Sequence, residues 1–109
     1  MCSYNCHVRS IRFEWDEAKN RANQRKHGLS FETGALVFED PLCVTRTDRT
    51  VDGEERLQTL GRIQGVLLVL VAHTLQEELD DDRWIEVIRI ISVRYATPRE
   101  SRSYEKENG

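Results

Sequence analysis

Apolar and polar positions alternate over several short stretches of the chain, which is the period of a β-strand. The first stretch is IRFEW, where Ile11, Phe13 and Trp15 alternate with Arg12 and Glu14. It predicts a short strand with one face turned toward a core. The pattern then changes to that of helices, before strands return in the second half of the chain.

Two helices are predicted directly after this strand. The first runs from the N-cap residue Asp16 to His27, and Gly28 stands where a left-handed residue commonly ends a helix. The second runs from Ser30 to Phe38, because Asp40 and Pro41 cannot continue it. The pair is expected to form an α-α hairpin.

The remaining pattern predicts strands and one more helix. LCVTRTD, ERLQTLGRI, VLLVLVAHT and WIEVIRIISVRYA each have strand character, and VDGEE supplies turn residues. Thr97 as N-cap and Pro98 as the first helical residue open a last helix, PRESRSYEKE. Short connections imply a mainly antiparallel sheet of about four strands with helices on one face. The fold class is therefore α+β, with one domain over residues 11–106 after a loose extension, residues 1–10.

Composition is that of a globular domain, with 109 residues, 39% hydrophobic and 32% charged. The longest apolar run, Val66 to Ala72, is too short to span a membrane, and we expect a cytoplasmic protein. Three cysteines argue against a disulfide framework. Cys2, Cys6 and His7 lack a fourth ligand at a familiar spacing, so no metal or other cofactor is expected.

Charge is distributed unevenly along the chain. The net charge is −3, but residues 1–30 carry six Lys and Arg against three Asp and Glu. Residues 63–87 carry one Lys or Arg against six Asp and Glu. Much of this acidic charge lies in EELDDD, Glu77 to Asp82, which is predicted to be a solvated loop. Uniform attraction to nucleic acid is therefore not expected, whereas a local cationic site built from both ends is allowed.

Four segments together resemble the BrnT family of toxins from type II toxin–antitoxin systems. They are FEWDEAKNRANQRKHGLSFETGALVFEDP, the GEER around Glu55, LLVLVAHT and IRIISVRYATPRESRSYE, and they cover Phe13 to Glu105. The first contains the motif residues Trp15, Asp16, Lys19, Asn23, Lys26, His27 and Gly28. The N-terminal extension and a longer acidic segment depart from the family pattern.

The resemblance implies a RelE/ParE-like fold and a metal-independent endoribonuclease that cleaves mRNA and arrests translation. It also implies a cognate BrnA-type, DNA-binding antitoxin, a hetero-oligomer with it, and contact with operator DNA only through it. The negative charge and acidic segment suggest an alternative, an inactive homologue that serves as an antitoxin-binding corepressor. Inhibition of DNA gyrase is a third, less favoured possibility.

Metal-independent RNA cleavage needs a base for the 2′-hydroxyl proton, cations for the charged transition state and an acid for the leaving oxygen. Histidine and carboxylate suit proton transfer, and arginine suits the phosphate. His73 competes as a base but is more typical of a core histidine, and Arg62 is a lesser cation. The catalytic candidates are Lys26, His27, Glu55, Arg56, Arg89 and Arg94.

Each candidate also has a structural interpretation. Lys26 and His27 could merely offset the helix dipole, and the arginines could pair with Glu86 or Glu100. Arg89 and Arg94 are five residues apart, so they face opposite ways in a regular strand. A β-bulge near Ser92, or a frayed strand end at Arg94, would bring them to one face; otherwise one of the pair is structural. Aromatic residues expected to fill the core are Trp15, Phe31, Phe38 and Trp84.

Overall fold

The strands form one mixed sheet in the computed structural model, which describes residues 10–108. They are β1 (Ser10–Glu14), β2 (Val44–Val51), β3 (Glu54–Ile63), β4 (Leu67–Asp80) and β5 (Arg83–Tyr95). Their order across the sheet is β1-β5-β4-β3-β2, with β1 parallel to β5 and the other pairs antiparallel. The α+β class is confirmed. The expected count of about four strands was wrong, because the five-stranded sheet includes β1.

Helices occupy the three predicted segments. α1 (Glu17–His27) begins after Asp16, whose side chain accepts hydrogen bonds from the backbone amides of Ala18 and Lys19. The helix ends at Gly28, which has φ 74°. α2 (Phe31–Ala35) is shorter than predicted, because the chain tightens into a 3-10 helix, Leu36–Glu39. α3 (Pro98–Asn108) follows β5.

One face of the sheet, called the inner face, packs against the segment that contains α2 and the 3-10 helix. Phe31 and Phe38 insert into a core with Val71, Ile88 and Ile90, and all five are at most 2% exposed. The backbone approaches closely at Gly34, where an added Cβ would lie 2.4 Å from a methyl carbon of Val93. This core holds α2 directly on the sheet.

The opposite face, called the outer face, is covered only in part. Tyr104 of α3 packs there against Leu60 and Leu70, which alternate with the inner-face residues of β3 and β4. The prediction that all helices lie on one face was therefore wrong. The apolar stripe of α3 indicates that it packs on a surface but cannot indicate which side of the sheet receives it.

Asp40 joins three parts of this covered region. Its Oδ2 accepts hydrogen bonds from the Tyr104 hydroxyl at 2.7 Å and the Arg62 amide at 2.8 Å, and its Oδ1 accepts the Leu42 amide at 2.9 Å. Burial, together with this bond, raises the pKa of Tyr104 to about 12. The FEDP segment thus ties α3 to β3 and to the turn before β2.

The acidic segment is not the predicted loop. β4 continues through it to Asp80, which pairs with Arg83, and only Asp81 and Asp82 form the turn, with φ 48° and 64°. A two-stranded ribbon satisfies its backbone hydrogen bonds internally and leaves its side chains in water, so a run of charge does not prevent it. Trp84, expected in the core, is 52% exposed on this ribbon.

Residues 1–9 of the predicted extension and the grouping of Cys2, Cys6 and His7 lie outside the described residues, while Ser10, the last residue of that extension, begins β1. Cys43 is fully buried and disulfide-bonded. Within the described part of the chain, none of the helices has the length and apolar character that a membrane crossing requires.

Candidate functional site

A β-bulge in β5 places Arg89 and Arg94 on the outer face together. The pairing with β4 shifts by one residue between Ala72 and His73, which leaves Ile91 as the extra residue of β5. The extra residue resets the alternation between the two arginines. A β-bulge near this point was one of the arrangements considered for bringing the two arginines to one face, and the structure has it.

Arg56 of β3 lies on the same face as Arg89. Its neighbour Leu57 is opposite the inward-facing His73, so Arg56 points outward beside Thr74. Thr74 is in turn opposite Arg89 and is buried between the two arginines. The backbones of β3 and β5 are therefore two strand spacings apart here, about 10 Å.

A small pocket of about 60 Å³ opens beside these arginines. Gln76 donates a hydrogen bond to Glu54 Oε2 at 3.3 Å, and Glu54 Oε1 lies 3.8 Å from Arg56 Nε. The pocket lining consists of Glu14, Glu54, Thr74, Gln76, Val87 and Arg89.

The two arginines of this region are weakly held. Arg56 Nε is buried and has no hydrogen-bond partner within residues 10–108. Arg89 is exposed and forms no hydrogen bond or ion pair with any described residue. We call Arg56, Arg89, Thr74, Glu54 and Gln76 the open cluster; within it Arg56 has Glu54 at ion-pair distance but is not hydrogen-bonded to it.

Arg94 has a different environment, although it shares the face. Its two terminal nitrogens donate to Glu100 at 2.8 and 2.9 Å, and this pairing is the main cause that lowers the pKa of Glu100 to about 2. Glu100 also accepts the Thr97 amide at 2.9 Å, while the Glu100 amide donates to Thr97 Oγ1 at 3.2 Å. This is a capping box that anchors the start of α3 to β5. The predicted alternative of an ion pair with Glu100 is confirmed for Arg94.

Glu55 lies on the other side of β3 from Arg56, because successive side chains of a strand alternate. It is exposed, and Thr47 Oγ1 donates to it at 3.4 Å. The structure therefore does not bring Glu55 together with the outer-face arginines.

The end of α1 is fixed to β5 through Asn23. β1 pairs only with Ile85 to Arg89, so the edge of β5 is open farther along. Asn23 occupies that edge, donating to the Val93 carbonyl at 2.8 Å and accepting from the Val93 amide at 3.0 Å. It also donates to the Leu29 carbonyl at 2.8 Å. Sequence reasoning missed this role, since the contact joins residues far apart in the chain.

Lys26 and His27 follow Asn23 at the end of α1, with Lys26 exposed and His27 partly buried. Across residues 10–108, neither forms a hydrogen bond or ion pair with Glu55, Arg56 or the β5 arginines. Basic residue types in the last turn also suit the negative end of the helix dipole.

His73 and Arg62, the lesser candidates, have structural roles. His73 is fully buried, its Nε2 lies 2.7 Å from Thr59 Oγ1, and burial lowers its pKa to about 4. It is therefore a neutral core histidine, as one of the two interpretations predicted. Arg62 lies over the Tyr104 ring at 5.3 Å and pairs with Glu105 at 3.6 Å.

Comparison with known proteins identifies the family of this chain. A family model described as "Ribonuclease toxin, BrnT, of type II toxin-antitoxin system" matches residues 15–100. The chain belongs to the BrnT family. Toxins of such systems have a protein antitoxin as their partner. A comparison with curated protein sequences found no match.

The crystal structure of the Brucella abortus ribonuclease toxin BrnT is similar, with a TM-score of 0.50 and 22% sequence identity. The alignment covers 81% of this chain and 97% of that one. At this identity the likeness supports the BrnT fold alone.

Three residues of the BrnT motif in α1 have structural tasks here. Asp16 caps the helix, Asn23 closes the edge of β5, and Gly28 takes the left-handed conformation.

The residues of the open cluster that sequence reasoning missed are Glu54, Thr74 and Gln76. The period of two in β3 was the available signal, because it pairs residue 54 with Arg56. Among the described residues, no group of three or more His, Cys, Asp or Glu could hold a metal ion.

Proposed function

We propose that this BrnT-family chain is an endoribonuclease that cleaves mRNA without a metal ion, and that its active site is the open cluster on the outer face. One observation carries the proposal. Arg56 and Arg89 flank Thr74 on a part of the sheet that α3 does not cover, and neither guanidinium is hydrogen-bonded to a carboxylate of the described chain.

This arrangement suits a phosphodiester. Arginine stays protonated and can donate two parallel hydrogen bonds to phosphate oxygens. Two long side chains from β3 and β5 can reach one phosphate above Thr74, which lies between them. Donors fixed on rigid strands stabilise charge that develops in the transition state without reorganising at the moment of reaction.

Lys26 and His27 enter the proposal as donors to a neighbouring part of the RNA backbone. Both are cationic or titratable residue types at the end of α1, beside the portion of β5 that follows Arg89. Arg94, bonded to Glu100, is proposed to hold α3 rather than to contact RNA.

We further propose a BrnA-type antitoxin, acting in the cytoplasm, that forms a hetero-oligomer with the toxin and covers the open cluster. An acidic segment of the antitoxin would match the two arginines. Contact with operator DNA would then pass through the antitoxin alone. The RelE/ParE-like relationship stays a prediction.

The test is cleavage of a purified mRNA by the wild-type protein and by Arg89→Ala, with growth measured after induction without antitoxin. Arg102→Ala, an exposed arginine of α3, is the matched control. We expect the wild type and the control to cut RNA and arrest growth, and Arg89→Ala to do neither. A wild-type protein that leaves RNA intact and growth unchanged would favour the corepressor function instead.

A further inference from the structure

Strand alternation decides which carboxylate of β3 can act beside the arginines. Glu54 and Arg56 are two residues apart and share the outer face, whereas Glu55 points to the opposite side. Glu54 Oε1 lies 3.8 Å from Arg56 Nε. Glu54 also lines the same small pocket as Arg89 and Thr74. The acid next to the proposed phosphate site is therefore Glu54.

Glu54 is also held in place. Gln76 of β4 donates a hydrogen bond to its Oε2 at 3.3 Å, which leaves Oε1 on the side of Arg56. The Glu54 side chain is 31% exposed, so it is partly shielded yet reachable from solvent. A base must stand within hydrogen-bond reach of the proton that it removes, and a carboxylate fixed beside the phosphate cations meets that requirement.

Glu14 is the competing carboxylate of this pocket. It is opposite Arg89 in the β1–β5 pairing, so it lies on the side of Arg89 away from Thr74 and Arg56. Its side chain is 50% exposed, and its one ion pair in the described chain is a 3.8 Å contact with Arg12. Unlike Glu54, it is not held by an amide donor, and it lies on β1, outside the span from β3 to β5 that carries the arginines.

We propose that Glu54 is the general base of RNA cleavage and that Gln76 is its positioning residue. This inference rests on the proposed ribonuclease function. Glu54 takes the proton of the 2′-hydroxyl, and the 2′-oxygen forms a bond to the adjacent phosphorus. The bond from phosphorus to the 5′-oxygen breaks, and that oxygen takes a proton from water. Glu54 then returns its proton to solvent. The products are a 2′,3′-cyclic phosphate and a 5′-hydroxyl end.

The test compares Glu54→Gln with Glu55→Gln, the same substitution one residue away on the opposite side of β3. Steady-state cleavage of one RNA gives kcat and KM for each. We expect Glu54→Gln to lower kcat by about 10²- to 10⁴-fold, the usual contribution of a general base, with KM unchanged. Glu55→Gln should retain wild-type kcat. Glu54→Asp keeps a carboxylate and should recover part of the rate.

Gln76→Ala tests the positioning role separately. It should lower kcat by about tenfold, a part of the contribution of the base, while KM and the thermal midpoint stay at their wild-type values. A loss of thermal stability that accounts for the lost activity would show a structural role for Gln76 instead.

The outcomes separate this inference from the proposed function. Wild-type cleavage with full activity in Glu54→Gln overturns the assignment of the base and leaves the ribonuclease intact. Loss of kcat in Glu14→Gln but not in Glu54→Gln assigns the base to Glu14. A wild-type protein that does not cleave RNA overturns both. If Glu54→Gln fails to fold by circular dichroism, a folded Glu54→Asp with wild-type kcat and pH profile also overturns the assignment.

Discussion

Both halves of the outer face of the sheet carry arginines, but the arginines of the two halves differ in the bonds that they form. In the half covered by α3, Arg94 is bonded to Glu100 and Arg62 lies on Tyr104. In the uncovered half, Arg56 has a buried nitrogen without a partner and Arg89 forms no bond within residues 10–108. Arg94 and Arg62 are thus structural where α3 supplies their partners, whereas Arg56 and Arg89 lie where no helix supplies one.

The largest effect on RNA cleavage is expected from substitutions in the uncovered half of the outer face. Arg56→Ala and Arg89→Ala should each lower kcat by about 10²- to 10³-fold, as for the loss of one transition-state donor. Because both are proposed to bind one phosphate, the double variant should lose less than the product of the single losses. RNA cleavage kinetics measure this, with thermal midpoints to confirm folding.

The matching change in the covered half is Arg94→Ala. It should lower stability and leave the kcat of the folded protein near wild type. Independent, fully multiplicative losses for Arg56 and Arg89 would contradict a shared phosphate.

A smaller effect, on stability alone, is expected where Asn23 closes the edge of β5. Asn23→Ala would leave both backbone groups of Val93 and the Leu29 carbonyl without their partner. A buried group left unpaired costs about 1 to 3 kcal/mol, so we expect a loss of at least about 2 kcal/mol in the free energy of unfolding. Urea denaturation measures it. Gln24→Ala, an exposed neighbour, is the control, and equal stability of the two variants would disprove the role of Asn23.

Glu100→Ala should cost about 1 kcal/mol, the usual value of a helix cap. The pKa of Glu100 is lowered in the folded state, chiefly by its bonds to Arg94, from 4.5 to about 2. Its contribution is therefore complete above about pH 5 and is lost as pH falls toward 2. The difference in unfolding free energy between wild type and variant should shrink over that range.

Glu107→Ala, near the exposed end of α3, is the control for this titration. A difference between wild type and Glu100→Ala that stays constant from pH 6 to about pH 2 would contradict the linkage.

The smallest effect is expected at the tip of the β4–β5 ribbon. Asp81 and Asp82 both have positive φ, which suits an Asn-Gly turn. The double change Asp81→Asn and Asp82→Gly should raise stability by less than about 1 kcal/mol, because glycine takes a left-handed backbone without the strain that a Cβ brings, while its greater freedom in the unfolded chain offsets part of that gain. RNA cleavage should not change, because the ribbon tip lies outside the open cluster. A large gain in cleavage would mean that this acidic ribbon opposes RNA binding.

Local pattern was enough to predict most of the elements. The alternation in IRFEW, the cap at Asp16 and the left-handed Gly28 are all present. Each of these depends on neighbours in sequence, where dihedral preference and side-chain period act directly.

Features that depend on distant contacts were not predictable in the same way. The face taken by α3 is decided by which side of the sheet α2 leaves uncovered, and the role of Asn23 is decided by an edge that another strand leaves open. Glu54 is an intermediate case. Alternation in β3 places it with Arg56, but only the neighbouring strands bring Gln76 and Arg89 beside it.

The central claim is that RNA binds the uncovered half of the outer face. Amide chemical-shift perturbation with an oligoribonucleotide that carries 2′-O-methyl groups, and so cannot be cleaved, tests it most directly. We predict shifts concentrated at Arg56, Thr74, Gln76 and Arg89, with little change at Arg94 and Tyr104. Shifts confined to the covered half or to the inner-face residue Glu55 would contradict the claim.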